Sequence, residues 1–191
     1  MANYILFISE NKLKDSTALG GNVDNEFILP YLKVAQKKYI ETKLGTDLFV
    51  KLQNDISGSS LSGAYQTLVD DYIQDALVHW AFYECLPFLR VRVSNNGIGV
   101  KTSENIESMS QEDMSSLREE IRNTAEFYTE RLVDYIRHNT STYPEYNTNT
   151  GPDVSPTKNV FYSGMNIERE TRKDRGGMIT LDDFLTPDLN P

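Results

Sequence analysis

The sequence predicts a mainly α protein: a small helical bundle over residues 24–139 that carries a protruding β-hairpin at residues 90–102, with extended arms at residues 1–23 and 140–191. Three observations predict it. Apolar residues recur at helical spacing in separate stretches, strict alternation replaces that spacing in "RVRVSNNGIGVKT", and both ends are rich in turn residues. With 191 residues, 39% of them hydrophobic, the chain has enough apolar side chains for the core of one domain plus an appendage.

Residues 1–23 read as an arm because the short apolar run "YILFIS" is followed by "STALGGNV". The first helix follows Asp24, a candidate N-cap. Phe27, Ile28, Tyr31, Leu32, Ala35, Tyr39 and Ile40 then recur on one face, and Pro30 falls near the first turn, where a missing N–H is tolerated. Gly45 closes this helix, and "TDLFVKLQND" makes a shorter second one with Thr46 as its cap. "SGSSLSG", residues 57–63, is a flexible break.

The third helix, residues 64–86, has the strongest pattern. Tyr65, Leu68, Val69, Tyr72, Ile73, Ala76, Leu77 and Trp80 form one apolar stripe, with Gln66, Thr67, Asp70, Asp71 and Gln74 opposite, and Pro87 is expected to stop it. No lysine or arginine occurs between Lys51 and Arg90, so Asp70, Asp71, Asp75 and Glu84 make an acidic face without compensation inside the helix. The fourth helix begins at Ser110, where "SQED" sets Asp113 three residues after the cap. Met114, Leu117, Ile121, Ala125, Tyr128, Leu132 and Tyr135 form its stripe as far as residue 139. Two long and two shorter amphipathic helices can cover one another's stripes.

In the hairpin, a type I′ turn at Asn96–Gly97 would pair Asn95 with Ile98, Val93 with Val100, and Arg92 with Lys101. Val91, Val93, Ile98 and Val100 then share one face, and Arg90, Arg92 and Lys101 the other. Like charges directly opposite disfavour such a pair, and a lone hairpin is marginal in water. The hairpin therefore needs partners on both faces: the bundle for its apolar side, and acids such as Asp70, Asp71 and Asp75 of a neighbouring copy for its basic side. Such a head-to-tail contact closes into a ring when its rotation permits.

After residue 139 the stretch "TSTYPEYNTNTGPDVSP" has the residues of a linker. The tail from residue 140 onward has fourteen apolar residues. Their burial is worth roughly 20 to roughly 40 kcal/mol if complete. Ordering the backbone costs more, on the order of 50 to roughly 100 kcal/mol. Backbone pairing must supply the rest. The tail is thus expected to order by crossing to another chain, docking through Phe161, Tyr162, Ile179, Leu181 and Phe184.

Charge and chemistry narrow the function. A net charge of −9 argues against a protein that clamps nucleic acid by its phosphates. No stretch is apolar enough to span a membrane, and "MANYILFISENKLKD" lacks a basic leader. One cysteine, Cys85, permits no internal disulfide, suits a reducing cytoplasm, and is expected in the core. His79 and His138 lack the spacing of a bundle metal site, and Asp70, Asp71 and Asp75 on an exposed face are expected to be solvated rather than to hold a cation. There is no phosphate loop, nucleophile elbow or Cys–His pair, and "ERETRKDR" mixes signs. The chain is expected to be no enzyme and to need neither cofactor nor metal.

An acid-capped first helix, "KLGTDLFVKL", a long helix ending "ECLPFLRVRVSNNGIGV" and a long final helix together resemble the head-to-tail connector (adaptor) proteins of tailed bacteriophages, and among them the ring proteins below the portal in crAss-like phages of Bacteroidetes hosts. The likeness covers residues 24–139; the C-terminal extension goes beyond the compact family pattern. It implies a structural virion protein at the neck, made in the host cytoplasm. Such a protein assembles as a closed homo-oligomeric ring, a dodecamer, that docks on the portal and meets a further ring or tail protein. It extends the channel through which DNA passes without tight binding. The contrasting expectation is an acidic helical module that holds a basic partner or mimics DNA.

Overall fold

The computed structural model describes residues 4–20, 22–94, 97–100, 109–148, 150 and 154–157, all within one unit, Met1–Phe161. Among them the chain is mainly helical: α1 (Glu10–Ser16), α2 (Asn25–Ala35), α3 (Thr42–Leu44), α4 (Thr46–Ser57), α5 (Gly63–Leu68), α6 (Gln74–Arg90) and α7 (Gln111–His138). Two π-helical stretches, Gln36–Glu41 and Val69–Ile73, continue the backbone from α2 into α3 and from α5 into α6. The predicted first and third helices are therefore each one continuous rod with a widened turn inside it.

The helix stops are local chemistry. At Gly45 the backbone turns to φ 76° and ψ 159°. A Cβ opposes that conformation, so glycine ends one helix there and starts α4. Gly45, not Thr46, is thus the N-cap of α4. Ser110 caps α7 as expected: its hydroxyl accepts from the Asp113 N–H at 3.1 Å and donates to the Asp113 carboxylate at 2.6 Å. Pro87 does not stop α6, which runs on to Arg90. A proline removes one bond to the carbonyl four residues back, and its ring's clash with that turn is a cost that packing of the surrounding helix outweighs here.

The core forms where the predicted stripes meet. Ile28, Leu32 and Ala35 of α2, Leu48, Phe49 and Leu52 of α4, Ala76, Leu77 and Trp80 of α6, and Ala125, Leu132 and Ile136 of α7 join one buried cluster. Tyr39 stacks flat on Trp80 with ring centroids 3.7 Å apart. The Trp80 indole N–H donates to the Thr129 hydroxyl at 2.8 Å, and that hydroxyl donates to the Ala125 carbonyl at 2.7 Å. The polar edge of the indole is thereby satisfied inside the core. Cys85 is buried, and burial pushes its thiol up to about 11.

α6 and α7 run antiparallel, as cross-contacts show along their length: Tyr72 stacks on Tyr135, Asp75 faces Arg131, His79 stacks on Tyr128, and the Arg118 guanidinium lies over the Tyr83 ring. The end of α6 therefore lies beside the first turns of α7, and the chain passes into a strand after Arg90 at that end.

Parts of both predicted arms pack on the bundle. Phe7, Ile8, Leu13 and Leu19 of the N-terminal segment are buried, with α1 lying on α2 and α6. After α7, Tyr143 and Tyr146 return to the core around a short 3-10 turn, Pro144–Tyr146. The Tyr143 hydroxyl donates to the Ala64 carbonyl at 2.9 Å, its ring meets Tyr65 edge-on at 5.4 Å, and the Tyr65 hydroxyl donates to Glu145 at 2.8 Å. The chain then crosses the start of α4, where Thr46 and Val154 exchange hydrogen bonds, Thr157 bonds the Thr42 carbonyl, and Asp47 accepts from Thr150. The bundle thus reaches at least Thr157 rather than residue 139. Two aromatic side chains that the linker composition concealed bury more apolar area than a solvated linker could.

Candidate functional site

The predicted acids do not form one uncompensated face. Asp75 is paired with Arg131 of α7 at 4.0 Å, and Glu84 accepts from the Lys38 ammonium at 2.8 Å and the Tyr39 hydroxyl at 2.6 Å. The compensation absent within the third helix comes from its neighbours. Asp70 and Asp71, on the Val69–Ile73 π turn, stay exposed; Asp70 accepts from the Gln74 carboxamide at 3.3 Å, and among the described residues no cation pairs with either. No group of His, Cys, Asp and Glu able to hold a metal is present among the described residues. His79 lies against Tyr128, and burial lowers its pKa against the opposing pull of Asp75; His138 bonds the Asp134 carbonyl through Nδ1 at 3.0 Å near the end of α7. Among the described residues no helix is long and apolar enough to cross a membrane.

At the other end of α6 the chain passes into β1 (Val91–Ser94), which pairs antiparallel with β2 (Gly97–Val100). Val91 faces Val100, Arg92 faces Gly99, Val93 faces Ile98 and Ser94 faces Gly97. This corrects the predicted register. Gly97 is paired with Ser94 instead of lying in the turn, and Arg92 is opposite Gly99 instead of Lys101. Asn96 and Lys101 lie outside the described residues, as do Phe161, Tyr162, Ile179, Leu181 and Phe184 of the predicted C-terminal docking set.

At the same end of the bundle the described residues leave apolar side chains exposed. No residue of 111–120 is buried, although Met114 and Leu117 occupy apolar positions of the α7 stripe and are half-buried. Phe88 is 44% exposed and stacks on Tyr31 at 4.8 Å, Tyr31 in turn meets Phe27 at 5.4 Å, and Met109 is also 44% exposed.

A second constellation escaped the sequence reading. Gln36 is fully buried on the apolar stripe of α2 and the π turn that continues it, and its carboxamide accepts from the Phe7 N–H at 2.9 Å and donates to the Ile5 carbonyl at 2.8 Å. Gln53 of α4 donates to the same Ile5 carbonyl at 2.9 Å, and Gln74 of α6 donates to the Phe7 carbonyl at 3.1 Å. The available signal was a polar residue four positions after Leu32 and three before Tyr39, where the period asks for an apolar one.

No curated protein matches the chain, and no solved structure does. A family of unknown function, DUF6712, matches residues 40–156. That span ends at Pro156, within the segment that returns across α4, so the returning segment is part of the family's common domain. The match covers more than half of the sequence, and the chain belongs to the DUF6712 family.

Proposed function

We propose that this protein is a structural subunit of a closed ring in the neck of a tailed bacteriophage, between portal and tail, and that the ring extends the channel for DNA. The observation that carries this reading is the end of the bundle where the described residues leave apolar side chains exposed. Residues 111–120 include no buried side chain, and Phe88 and Met109 stand exposed. Exposed apolar side chains at this end suit an interface better than solvent. In this reading residues 90–102 form a protruding hairpin whose Arg90, Arg92 and Lys101 meet Asp70 and Asp71 of the next copy, a head-to-tail contact that repeats around a dodecamer. The chain beyond residue 157, with Phe161, Tyr162, Ile179, Leu181 and Phe184, is the arm that reaches the portal or an adjoining ring. A net charge of −9 suits a wall along which DNA slides without being gripped.

The test is assembly. Native mass spectrometry and electron microscopy of the purified chain, alone and with a portal protein, are expected to show closed rings. Arg92→Glu is expected to weaken ring formation while leaving the helical circular dichroism of the subunit unchanged. Monomer alone at every concentration, with portal present, removes the proposal, and unaltered rings in Arg92→Glu remove the hairpin from the interface.

A second reading has its own observation in exposed Asp70 and Asp71, for which no described cation is a partner. It is an acidic module that holds a basic protein or mimics DNA. Capture of a basic partner that Asp70→Asn with Asp71→Asn abolishes, with no ring formed by the parent chain, would select it.

A further inference from the structure

The strap that returns after α7 is anchored in two different ways. Its inner half sits in the core, where Tyr143 is fully buried and Tyr146 is buried beside it. The Asn147 and Thr148 N–H groups close onto the Pro144 carbonyl at 3.0 and 3.3 Å and complete that turn. The outer half lies on the surface. Of the described residues after Tyr146, Pro156 is half-buried and the others are exposed.

This outer half caps two helix ends at once. α3 stops and α4 starts at Gly45, so carbonyls and N–H groups that lack partners inside their own helices meet there. The Thr157 N–H and hydroxyl both donate to the Thr42 carbonyl, at 2.8 and 2.7 Å. The Thr46 N–H donates to the Val154 carbonyl at 3.1 Å, and the Thr46 hydroxyl accepts from the Val154 N–H at 3.2 Å. Asp47, in the first turn of α4, accepts from the Thr150 N–H at 3.2 Å and from its hydroxyl at 3.0 Å. Pro156 rests on Gly45 amid these bonds. Exposed hydrogen bonds exchange for bonds to water at little net cost, and segments held by them open at free energies far below that of global unfolding.

We propose that Thr150 and Val154–Thr157 form a latch that opens and closes while the helical bundle stays folded, hinged at the Pro144–Tyr146 turn. Closed, it fixes Thr157 on the end of α3 and so sets the point from which the following residues leave. Open, the nine residues 149–157 add up to about 30 Å of reach at ~3.3 Å per residue. The latch needs no ring and no second copy.

The experiment is native-state hydrogen exchange of the full chain, followed by NMR from zero to about 2 M urea. The Thr46 N–H has no partner in its own helix, so its protection reports the strap, as does that of Thr157. The N–H groups of Trp80 and Ala81, inside α6, report global unfolding. Thr46 and Thr157 are expected to show matched protection, at least about 100-fold below that of Trp80 and Ala81 and nearly independent of urea. Thr150→Ala, which removes one exposed hydroxyl bond and leaves Asp47 in place, is expected to speed exchange at Thr46 and Thr157 together several-fold and to leave Trp80 and Ala81 unchanged. Protection at Thr46 and Thr157 as high as at Trp80, with the same urea dependence, overturns the proposal, because the strap then opens with the whole fold. Absence of protection at both overturns the closed state, and an effect of Thr150→Ala on neither or on one alone overturns the concerted latch.

Discussion

Replacing Gly45 by alanine tests how the chain's C-terminal return is locked onto the bundle. Gly45 sits at φ 76° and ψ 159°. That region is essentially closed to side-chain-bearing residues, and holding alanine there costs about 1 to about 3 kcal/mol. A Cβ would also lie 2.7 Å from Pro156 Cγ and 2.8 Å from Cδ, closer than van der Waals contact allows. The strap can escape only by lifting off α4, which gives up the Thr46–Val154 bonds and the Thr157 bonds to the Thr42 carbonyl. Those are exposed and return to water, so their loss adds about 1 to about 2 kcal/mol, for a total of about 2 to about 5 kcal/mol. Urea unfolding followed by the fluorescence of Trp80, the sole tryptophan, measures it. Two comparisons separate the causes. Gly63 lies at φ 58° with open space around a built Cβ. It carries backbone strain alone, so Gly63→Ala is expected to cost about 1 to about 2 kcal/mol. Pro156→Ala removes the colliding ring atoms, so Gly45→Ala should cost about 1 kcal/mol less in that background. A cost for Gly45→Ala within about 0.5 kcal/mol of zero would refute the backbone conformation, and a cost indifferent to Pro156→Ala would refute the collision.

Two further perturbations follow from the core and from titration. Thr129→Val leaves the buried Trp80 N–H without its acceptor. It should destabilise the fold by about 1 to about 3 kcal/mol in the same unfolding assay, whereas Thr129→Ser, which keeps the hydroxyl, should recover most of that loss. His79 has its pKa lowered by burial, so the unfolded chain takes up the proton first. Its contribution to stability is therefore fully present above the unfolded value of about 6.5 and is lost as pH falls from there toward the lower folded value. In His79→Gln, urea midpoints measured from about pH 7.5 down to about pH 5 should fall less steeply than in the parent protein.

Where a structural feature is a property of neighbouring residues, it was legible. The Ser110 cap, the break at Gly45 and the stripes of the two long helices, apart from the half-buried Met114 and Leu117, appear as read, because caps, positive φ and a helical period are decided within a turn or two of chain. Pro87 shows the limit of local rules: the helix around it is packed on the core, and packing outweighs one missing bond. The acidic face is partly compensated for the opposite reason, since counting lysines between residues 51 and 90 cannot see Lys38 and Arg131 arriving from other helices to Glu84 and Asp75. Gln36, Gln53 and Gln74 are far apart in sequence and had no shared motif to reveal them.

The amino-acid order by itself determined a mainly helical chain, its breaks at Gly45 and Ser110, its one buried thiol and its excess of negative charge, all of which are set by local chemistry, periodicity and composition. Tertiary structure alone decided which charges are compensated, which register the strands adopt, and that stretches resembling loose arms are seated in clefts. Those depend on surfaces that exist only once distant helices have packed. A tyrosine in a linker-like run is solvent-seeking or core-seeking according to whether such a cleft is within reach.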